Sequence, residues 1–557
     1  MAARLSAMVK PAVLHGKTGT DRRSSGVGAI RGCSGAARIS RVAHERGSPL
    51  LLELTPPVST SGKGFPVTVD GSKGVGGAHS SGDVGDNITP KERRGSAVKD
   101  TFNERRIFQL VNTSSPEGKR RKSEMTDDER VRDFQRKLYR KAKQEPDFRF
   151  YVLYDKIRHD HFLREAYRRV KASHGAPGID GVTFKAIEKN GLAGFLDEIQ
   201  KSLDDKTYRP QPVKRVYIPK ANGGTRPLGI PTIRDRVVQM SCKLVIEPIF
   251  EADFDISSHG FRPKRSAADA VKEIKMKLKE GKTKVLDADL SKYFDTIPHD
   301  RLLKLIGLRV SDLRVIHLIK LFLKAPVIED GRMSGGRKTK IGTPQGGVIS
   351  PLLANIYLNL VDRLVRNHTA FSGVEIVRYA DDFVLMGSKI EKDVIDTMTF
   401  LLKRMGLSLN ETKTRLVQVR NEPFDFLGFS FQYRKSRFTK GETYISVHPS
   451  KKAFQKLVAN IREELVIYRN RNAEDTVKML NFKLRGWLNY FTIGGVSYTG
   501  ITRRKLRMYL RERLFRHQRR KSQRYRYAHC RGTFKKWVEK HHLVDPESYG
   551  MPETVNA

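Results

Sequence analysis

Apolar and polar positions in this chain follow two periods, and strand-like alternation is concentrated in its middle. In the segment Val374–Met386, two short apolar runs flank the polar step Tyr-Ala-Asp-Asp, a pattern typical of a β-hairpin. Upstream, Lys284–Leu290 predicts a strand with Asp287 and Asp289 on one face, because successive side chains in a strand point to opposite sides. Together the two segments predict neighbouring strands that carry several carboxylates.

Helical spacing dominates both ends of the predicted folded region. Val131–Lys143 and Phe150–Lys171 are predicted helices, and Thr126 with Glu129 forms a capping box ahead of the first one. From Ser450 onwards apolar residues recur every three or four positions, which predicts three amphipathic helices. Their apolar stripes consist of Phe454, Leu457, Val458, Ile461 and Leu465; of Val477, Leu480, Leu484 and Leu488; and of Leu506, Tyr509, Leu510 and Leu514.

The segments in between complete the predicted architecture. They contain strands at Val213–Pro219 and Arg226–Ile230, and helices at Arg236–Phe250, after a cap at Ser266, after a cap at Ser350, and at Asp393–Met405. Around the carboxylates the order is strand, helix, hairpin, helix, strand. This order predicts a sheet backed by helices, an α+β fold with a ferredoxin-like palm.

The clustered carboxylates are candidates for catalysis with metal ions. Two divalent ions about 3.5–4 Å apart can stabilise the attacking and leaving oxygens of a phosphoryl transfer, and hard cations prefer oxygen ligands such as carboxylates. One Asp from the strand and two from the hairpin turn would supply them. An Asp-Asp pair alone is more often a solvated turn; the third carboxylate upstream favours the metal site.

Four sequence blocks carry a family resemblance. They are Asp-x-x-x-x-Phe starting at Asp289, Tyr-Ala-Asp-Asp at 379–382, GTPQGGVISPLLANIYL at Gly342–Leu358 and LRGWLNYF at Leu484–Phe491. The chain resembles reverse transcriptases encoded by group II introns, of the bacterial type, over roughly Tyr167–Phe491. The resemblance implies a right-hand polymerase with fingers and palm, followed by an α-helical thumb or X domain and a basic C-terminal tail.

The same resemblance implies roles for individual residues. Asp289 and Asp381 would bridge two Mg²⁺ ions, and Asp382 would support the ion on the primer side. The residues implied to bind the incoming nucleotide are Lys220, Arg226, Phe294, Gln345 and Lys413. Phe294 would exclude a ribose 2′-hydroxyl, with an ordinary core residue as the alternative. Lys413 would be a general acid near the pyrophosphate, with a solvated charge as the alternative.

The charge of the chain predicts a polyanionic partner. Among 557 residues, 106 are Lys or Arg and 61 are Asp or Glu, which gives a formal net charge of +45 and is typical of nucleic-acid-binding proteins. Arg503–Lys536 is dense in cations and aromatic residues that can contact phosphates and stack on bases; a solvated charged helix is the alternative. The predicted RNA or DNA contacts are Arg262, Lys264, Arg265, Arg485, Arg503, Arg504, Lys505, Arg519, Arg520 and Lys521.

Met1–Glu124 differs in composition from the rest of the chain. It is rich in Gly, Ser, Arg and Lys and has little periodicity, which predicts a disordered extension. A transit peptide for organellar import is a minority alternative, and a mis-called start codon before Met125 is another.

The cysteines and the hydropathy of the chain indicate the cellular compartment in which the protein is expected. Cys33, Cys242 and Cys530 are far apart, which argues against a disulfide framework and a cysteine-based zinc site and fits a reducing compartment. No apolar run approaches the length of a membrane span. These features predict a soluble protein of the bacterial cytoplasm, associated with the nucleoid and without a membrane partner.

The predicted segments are a basic low-complexity extension at 1–124, N-terminal helices and fingers at 125–283, a palm at 284–435, a thumb or maturase X domain at 436–502, and a basic DNA-binding tail at 503–557. The predicted function is that of an RNA-directed DNA polymerase, a nucleotidyltransferase, encoded by a group II intron. As a maturase it would bind the intron RNA and promote splicing and retrohoming of this mobile element. Its partners would be the intron RNA, target DNA and deoxynucleoside triphosphates.

Two other functions are alternatives. One is an intron-independent reverse transcriptase used in defence or repair. The other is a polymerase-dead, RNA-binding splicing factor, against which the intact Asp289, Asp381 and Asp382 argue.

The HNH nuclease module found in some members of this family has no counterpart in the sequence. Cys530 is a single cysteine near the C-terminal end, and a metal-organised nuclease needs several ligands. We therefore expect reverse splicing into one DNA strand without protein-dependent cleavage of the other, with a pre-existing 3′ end as the primer.

Overall fold

The computed structural model describes residues 125–219, 223–436, 439–521 and 527–550. The predictions made for Met1–Glu124, Cys33 and Lys220 therefore lie outside the described residues. Within those ranges, no helix combines the length and the apolar character that crossing a membrane requires.

Helices precede the first strand. They are α1 (Asp127–Gln144), α2 (Tyr154–Ile157), α3 (Asp160–Ala172), α4 (Phe184–Asn190) and α5 (Leu192–Asp204). The capping box predicted for α1 is present: Thr126 Oγ1 accepts from the backbone N–H of Glu129, and the Glu129 carboxylate accepts from the backbone N–H of Thr126. Local sequence therefore fixes where α1 begins.

The single helix predicted over Phe150–Lys171 is wrong. Phe150 forms an isolated parallel bridge with Val310, which holds it in extended backbone. The Asp312 carboxylate accepts hydrogen bonds from the backbone N–H groups of Leu153 and Tyr154, each at 2.9 Å. Contacts about 160 residues away in the sequence thus interrupt the helical pattern.

A four-stranded sheet follows the first helices. Its strands are β1 (Val213–Pro219), β2 (Thr225–Ile230), β4 (Pro326–Glu329) and β5 (Arg332–Gly335), in the order β2-β1-β4-β5. The two predicted strands, β1 and β2, pair in the antiparallel direction, and β1 also pairs in parallel with β4. Residues 326–335, which the sequence places in the palm segment, therefore belong to the sheet of the predicted fingers.

A second four-stranded sheet carries the candidate site. Its strands are β3 (Lys284–Asp289), β6 (Val374–Tyr379), β7 (Asp382–Gly387) and β8 (Arg415–Gln418), in the antiparallel order β6-β7-β3-β8. The helices around it are α6 (Ile233–Glu251), α7 (Ala267–Lys279), α8 (Tyr293–Thr296), α9 (His299–Gly307), α10 (Leu313–Leu323), α11 (Ser350–Asn367) and α12 (Lys392–Arg404), with a short 3₁₀ helix at Thr369–Phe371. Leu286 and Ala288 face the main core, and Val285 faces a second core on the opposite side of the sheet. The predicted order strand, helix, hairpin, helix, strand is present.

The cap predicted for α11 is displaced by one residue. Ser350 is the first residue of the helix, and Ile349 occupies the cap position without a side-chain cap bond. The Ser350 hydroxyl donates instead to the carbonyl oxygen of Pro344, at 2.9 Å. It therefore closes the preceding loop rather than the helix end.

A small sheet and a helical cluster complete the chain. They consist of β9 (Phe424–Phe426), β10 (Phe429–Lys435), β11 (Thr443–Pro449), α13 (Lys451–Ile467), α14 (Ala473–Phe491), α15 (Gly500–Lys521), α16 (Tyr527–Arg531) and α17 (Thr533–His541). The predicted stripes of α13, α14 and α15 meet in one apolar core, which includes Leu457, Leu480 and Leu506. The predicted boundary after residue 435 falls between the paired strands β10 and β11, and the one after residue 502 falls inside α15.

Candidate active site

Two aspartates face each other at the end of the second sheet. Strands β3 and β7 pair in a register that places Asp289 directly opposite Asp382, so both side chains lie on the same face of the sheet. Asp381 lies in the turn between β6 and β7, next to Asp382. The structure thus places the three aspartates that the sequence predicts to be catalytic at one end of this sheet.

Negative charge is concentrated at this end of the sheet. The pKa of Asp382 is raised to about 6, first because the surrounding protein desolvates the carboxylate and then because Asp381 and Asp289 carry the same charge. Burial also raises the pKa of Asp287, which lies on the same face. A cation bound here would relieve both the desolvation and the repulsion.

Asp289 is neutralised by a lysine in this structure. Lys413 Nζ lies 2.7 Å from Asp289 Oδ2, and Asn410 Nδ2 donates to the same oxygen at 3.1 Å. In the described ranges, no three His, Cys, Asp or Glu side chains are gathered closely enough to hold a metal ion. Lys413 would therefore compete with a metal ion for Asp289 Oδ2.

The turn that carries Asp381 has a strained backbone. Ala380 has φ +60°, in the left-handed region that costs a residue with a Cβ roughly 1–2 kcal/mol. Gly260 packs directly against the turn: a Cβ at this position would lie 2.3 Å from the backbone nitrogen of Ala380. Strain of this kind is concentrated at functional sites, where the surrounding structure enforces it.

The glycine-rich loop before α11 links strand β2 to helix α8. Gln345 Nε2 donates to the Asp295 carboxylate at 3.2 Å, and Arg226 Nε of strand β2 donates to Gln345 Oε1 at 3.1 Å. The backbone N–H of Gly229 donates to the Gln345 carbonyl at 2.6 Å. A Cβ at Gly346 would lie 2.2 Å from the Gly229 carbonyl oxygen, so the backbone of this loop packs closely against strand β2.

The backbone of Phe294 is hydrogen-bonded to this loop. It is 8% exposed, belongs to the main core and packs edge-to-face on Tyr293 with 5.5 Å between ring centroids. Its carbonyl oxygen accepts from the backbone N–H of Thr343 at 2.6 Å. The burial agrees with a core residue, and the role of sugar gate stays a prediction.

The basic loop after α6 is partly structural. Arg262 is 8% exposed, and its guanidinium donates to the Glu251 carboxylate and to two backbone carbonyl oxygens. These bonds give Arg262 a structural role, and its predicted nucleic-acid contact stays a prediction. Lys264 is exposed, and Arg265 is half-buried with one donor on the Ile256 carbonyl.

Some of the cationic side chains of helix α15 also bind other groups of the protein. Arg503 is 5% exposed and donates to the Tyr549 carbonyl oxygen at 2.7 Å and to Thr492 Oγ1 at 2.8 Å. Its predicted nucleic-acid contact stays a prediction. Arg504 lies 3.5 Å from Glu547. The other predicted contact residues on α14 and α15 are exposed: Arg485, Lys505, Arg519 and Arg520. Lys521 is half-buried.

Two polar partners of the site were not predicted from the sequence. Asp295 holds Gln345, and Asn410 holds Asp289. Asp295 follows Phe294 directly and Asn410 lies three residues before Lys413, so both are close in sequence to predicted residues. Their hydrogen bonds depend on the folded loops and leave no pattern in the sequence.

Two family models match the chain. One is described as reverse transcriptase (RNA-dependent DNA polymerase) and matches residues 218–431. The other is described as group II intron, maturase-specific domain, and matches residues 454–537. The first match includes the three aspartates and, apart from most of β1, the strands of both four-stranded sheets. The second extends from α13 into α17.

Curated proteins are similar to large parts of the chain. Protein YkfC of Escherichia coli K12 is 37% identical over 362 residues, which cover 58% of this chain and 93% of YkfC. The group II intron-encoded protein LtrA of Lactococcus lactis is 33% identical over 324 residues, which cover 46% of this chain and 53% of LtrA. An uncharacterised 91 kDa protein in the cob intron of Schizosaccharomyces pombe is 30% identical over 329 residues, covering 49% of this chain and 40% of that protein. The chain thus spans about half the length of LtrA.

Proposed function

Because the chain belongs to the family of group II intron-encoded reverse transcriptases with a maturase domain, we propose that it copies RNA into DNA at Asp289, Asp381 and Asp382. The observation that carries this proposal is the register of β3 and β7, which sets Asp289 opposite Asp382 beside the turn with Asp381. The reaction is attack of a primer 3′-hydroxyl on the α-phosphate of a deoxynucleoside triphosphate, with release of pyrophosphate.

The three aspartates would hold two Mg²⁺ ions. Their carboxylate oxygens are the ligands that hard cations prefer, and the pKa of Asp382 is raised to about 6 by desolvation and then by the like charges of Asp381 and Asp289. Bound Mg²⁺ would stabilise the charge on the attacking and leaving oxygens.

Lys413 would move from the Asp289 carboxylate to the leaving pyrophosphate during the reaction. It is 62% exposed and pairs with Asp289 through a single flexible ammonium, so little packing opposes its movement. With Asp289 engaged elsewhere, Lys413 would be close enough to interact with the leaving pyrophosphate and supply it with a proton.

The loop and hairpin around the site would bind the nucleotide. Arg226 is exposed and tied to Gln345, and an arginine fork suits a triphosphate; Lys220 would assist it. Gln345, held between Arg226 and Asp295, would contact the nucleotide and template pair. Phe294 would lie beneath the sugar.

The arrangement supports a right-hand polymerase. We assign the fingers to the sheet of β1, β2, β4 and β5, the palm to the sheet of β3, β6, β7 and β8, and the thumb to the helices from α13 onwards. The thumb would include α15, because its apolar residues share the core of α13 and α14.

The helical region would bind the intron RNA and hold it in a form that splices, while the RNA performs the splicing chemistry. Exposed cations on α14 and α15, among them Arg485, Lys505, Arg519 and Arg520, are available for phosphates. Binding through phosphate contacts weakens steeply as salt rises. Target DNA would use the same kind of contact.

The test uses the purified full-length chain with a DNA primer annealed to an RNA template, Mg²⁺ and deoxynucleotides. A second assay follows splicing of the group II intron RNA adjacent to its gene, with and without the protein. We expect primer extension and faster splicing. RNA binding without extension would identify a polymerase-dead splicing factor, and extension without any effect on splicing would identify an intron-independent reverse transcriptase.

A further inference from the structure

A fully buried ion pair lies behind the strained turn of the candidate site. Arg378 in β6 and Asp362 in α11 both have side chains that are 0% exposed. Arg378 Nε lies 2.8 Å from Asp362 Oδ1, and Nη2 lies 2.5 Å from Asp362 Oδ2. The guanidinium and the carboxylate thus form a two-point contact that fixes the orientation of the arginine.

The remaining arm of the guanidinium points at the turn. Arg378 Nη1 donates to the carbonyl oxygen of Ala380 at 3.0 Å and to Asn355 Oδ1 at 2.9 Å. Ala380 is the residue with φ +60° that immediately precedes Asp381. The arginine side chain is therefore hydrogen-bonded to the backbone of the turn, two residues further along the chain.

A second path reaches the same turn from the other side. Asn355 Nδ2 donates to the carbonyl oxygen of Gly260 at 2.8 Å, and Gly260 packs on the backbone of Tyr379 and Ala380 without room for a Cβ. The backbone N–H of His259 also donates to the Arg378 carbonyl at 2.8 Å. Helix α11, the loop at Gly260 and strand β6 are thus joined at one point.

Stability alone is a poor explanation for this arrangement. Removing two charges from water is costly, and a buried ion pair replaced by well-packed apolar residues often leaves a protein as stable or more stable. A group that is buried and fully hydrogen-bonded does, however, restrict the geometry of what it binds. The group bound here is the backbone that carries Asp381 and Asp382.

We propose that Arg378, Asp362 and Asn355 are positioning residues that clamp the Ala380 carbonyl and thereby set the positions of the Asp381 and Asp382 carboxylates. Asp362 orients the guanidinium, Asn355 couples it to the loop at Gly260, and Arg378 holds the turn in its left-handed conformation. The inference rests on the proposed role of the aspartates in polymerisation.

The main test removes the clamp without leaving a buried charge. In Arg378→Met combined with Asp362→Leu, both charges are replaced by apolar side chains, so folding and RNA binding should be kept. The kcat of primer extension should fall on the order of 100-fold, since a misplacement of about 1 Å can have that effect, while the Kd for RNA stays within threefold. Hydrogen exchange at the amides of 379–382 should become faster.

A matched control tests whether any buried pair has this effect. Arg309 and Asp253 form a largely buried ion pair, and Arg309 also donates to backbone carbonyl oxygens, but none of their described contacts is with Gly260 or with residues 378–382. Arg309→Met combined with Asp253→Leu should leave kcat unchanged. Hydrogen exchange at the amides of 379–382 should remain as slow as in the wild type.

A second variant carries the test if the apolar pair does not fold. Arg378→Lys keeps a charge opposite Asp362, but one ammonium lacks the planar fork that reaches Asp362, Asn355 and the Ala380 carbonyl together. It should lower kcat at least tenfold and accelerate exchange at the turn, with the KM for deoxynucleotide less affected. A folded clamp variant with kcat within threefold of wild type and unchanged exchange at 379–382 would overturn the inference. If the wild-type chain itself does not extend primers, the proposed function fails, whereas the exchange measurement still decides on the clamp.

Discussion

Gly260 offers a way to disturb the candidate site from behind, without touching any carboxylate. A Cβ at this position would lie 2.3 Å from the Ala380 nitrogen and 2.8 Å from the Tyr379 carbonyl carbon. Both neighbours are backbone atoms, so a side-chain rotation cannot relieve the clash. Gly260→Ala must therefore push the turn and the loop apart.

The size of the effect follows from the distances. Ordinary van der Waals contact begins at 3.4 Å, so the backbone has to separate by about 1 Å. Overpacking of this kind costs about 1–3 kcal/mol of folding free energy. A displacement of about 1 Å at the reacting groups can reduce the rate on the order of 100-fold, which corresponds to about 2.7 kcal/mol of activation free energy.

The assay is steady-state primer extension on an RNA template, with the melting temperature and RNA affinity measured on the same preparation. Gly260→Ala should remain folded, bind RNA as wild type does, and lose most of its kcat. The matched control is Gly194→Ala in α5, where a Cβ meets nothing within 4 Å; it should keep kcat and gain about 0.5–1 kcal/mol of stability. A Gly260→Ala protein with wild-type kcat would refute the claim that this contact positions the turn.

Three further predictions address single features of the chain. Phe294→Val should raise the use of ribonucleotides relative to deoxynucleotides in primer extension; a fixed ratio together with a lower melting temperature would assign Phe294 to the core alone. Because the pKa of Asp382 is raised to about 6, its ionisation destabilises the folded state as pH rises from about 4 to 6. Asp382→Asn should therefore raise the melting temperature at pH 8 in metal-free buffer, and the gain should disappear near pH 4; a gain that is equal at both pH values would contradict the electrostatic explanation. A chain that starts at Met125 should extend primers at the wild-type rate, because α1 begins with its own capping box at Thr126; a folded but inactive truncation would show that the first 124 residues take part in catalysis.

Local pattern was sufficient for the hairpin of the candidate site. The apolar runs around Tyr-Ala-Asp-Asp and the alternation in Lys284–Leu290 predict β3, β6 and β7 within two residues of their observed ends. Alternation also predicts that Asp287 and Asp289 share a face. Each of these features depends on neighbours in the sequence.

Features that depend on pairing between distant segments could not be predicted from the sequence. Strands β4 and β5 join the sheet of the predicted fingers because Val213 of β1 pairs with Val327, and nothing local marks that partner. Charged residues were the other difficulty: Arg262, Arg378 and Arg503 are similar to surface cations in sequence, yet each is buried with several acceptors. Burial of a cation depends on partners that only the folded chain assembles.

The most direct test of the central claim separates polymerisation from RNA binding in one protein. Asp381→Ala combined with Asp382→Ala is compared with wild type and with Asp393→Ala combined with Asp396→Ala, which removes two exposed carboxylates from α12. Primer extension on RNA and the Kd for the intron RNA are measured on the same preparations. The account predicts that the first variant loses extension and keeps its RNA affinity within threefold, while the α12 variant keeps both. Retained extension in the first variant, or loss of extension and RNA affinity together, would contradict it.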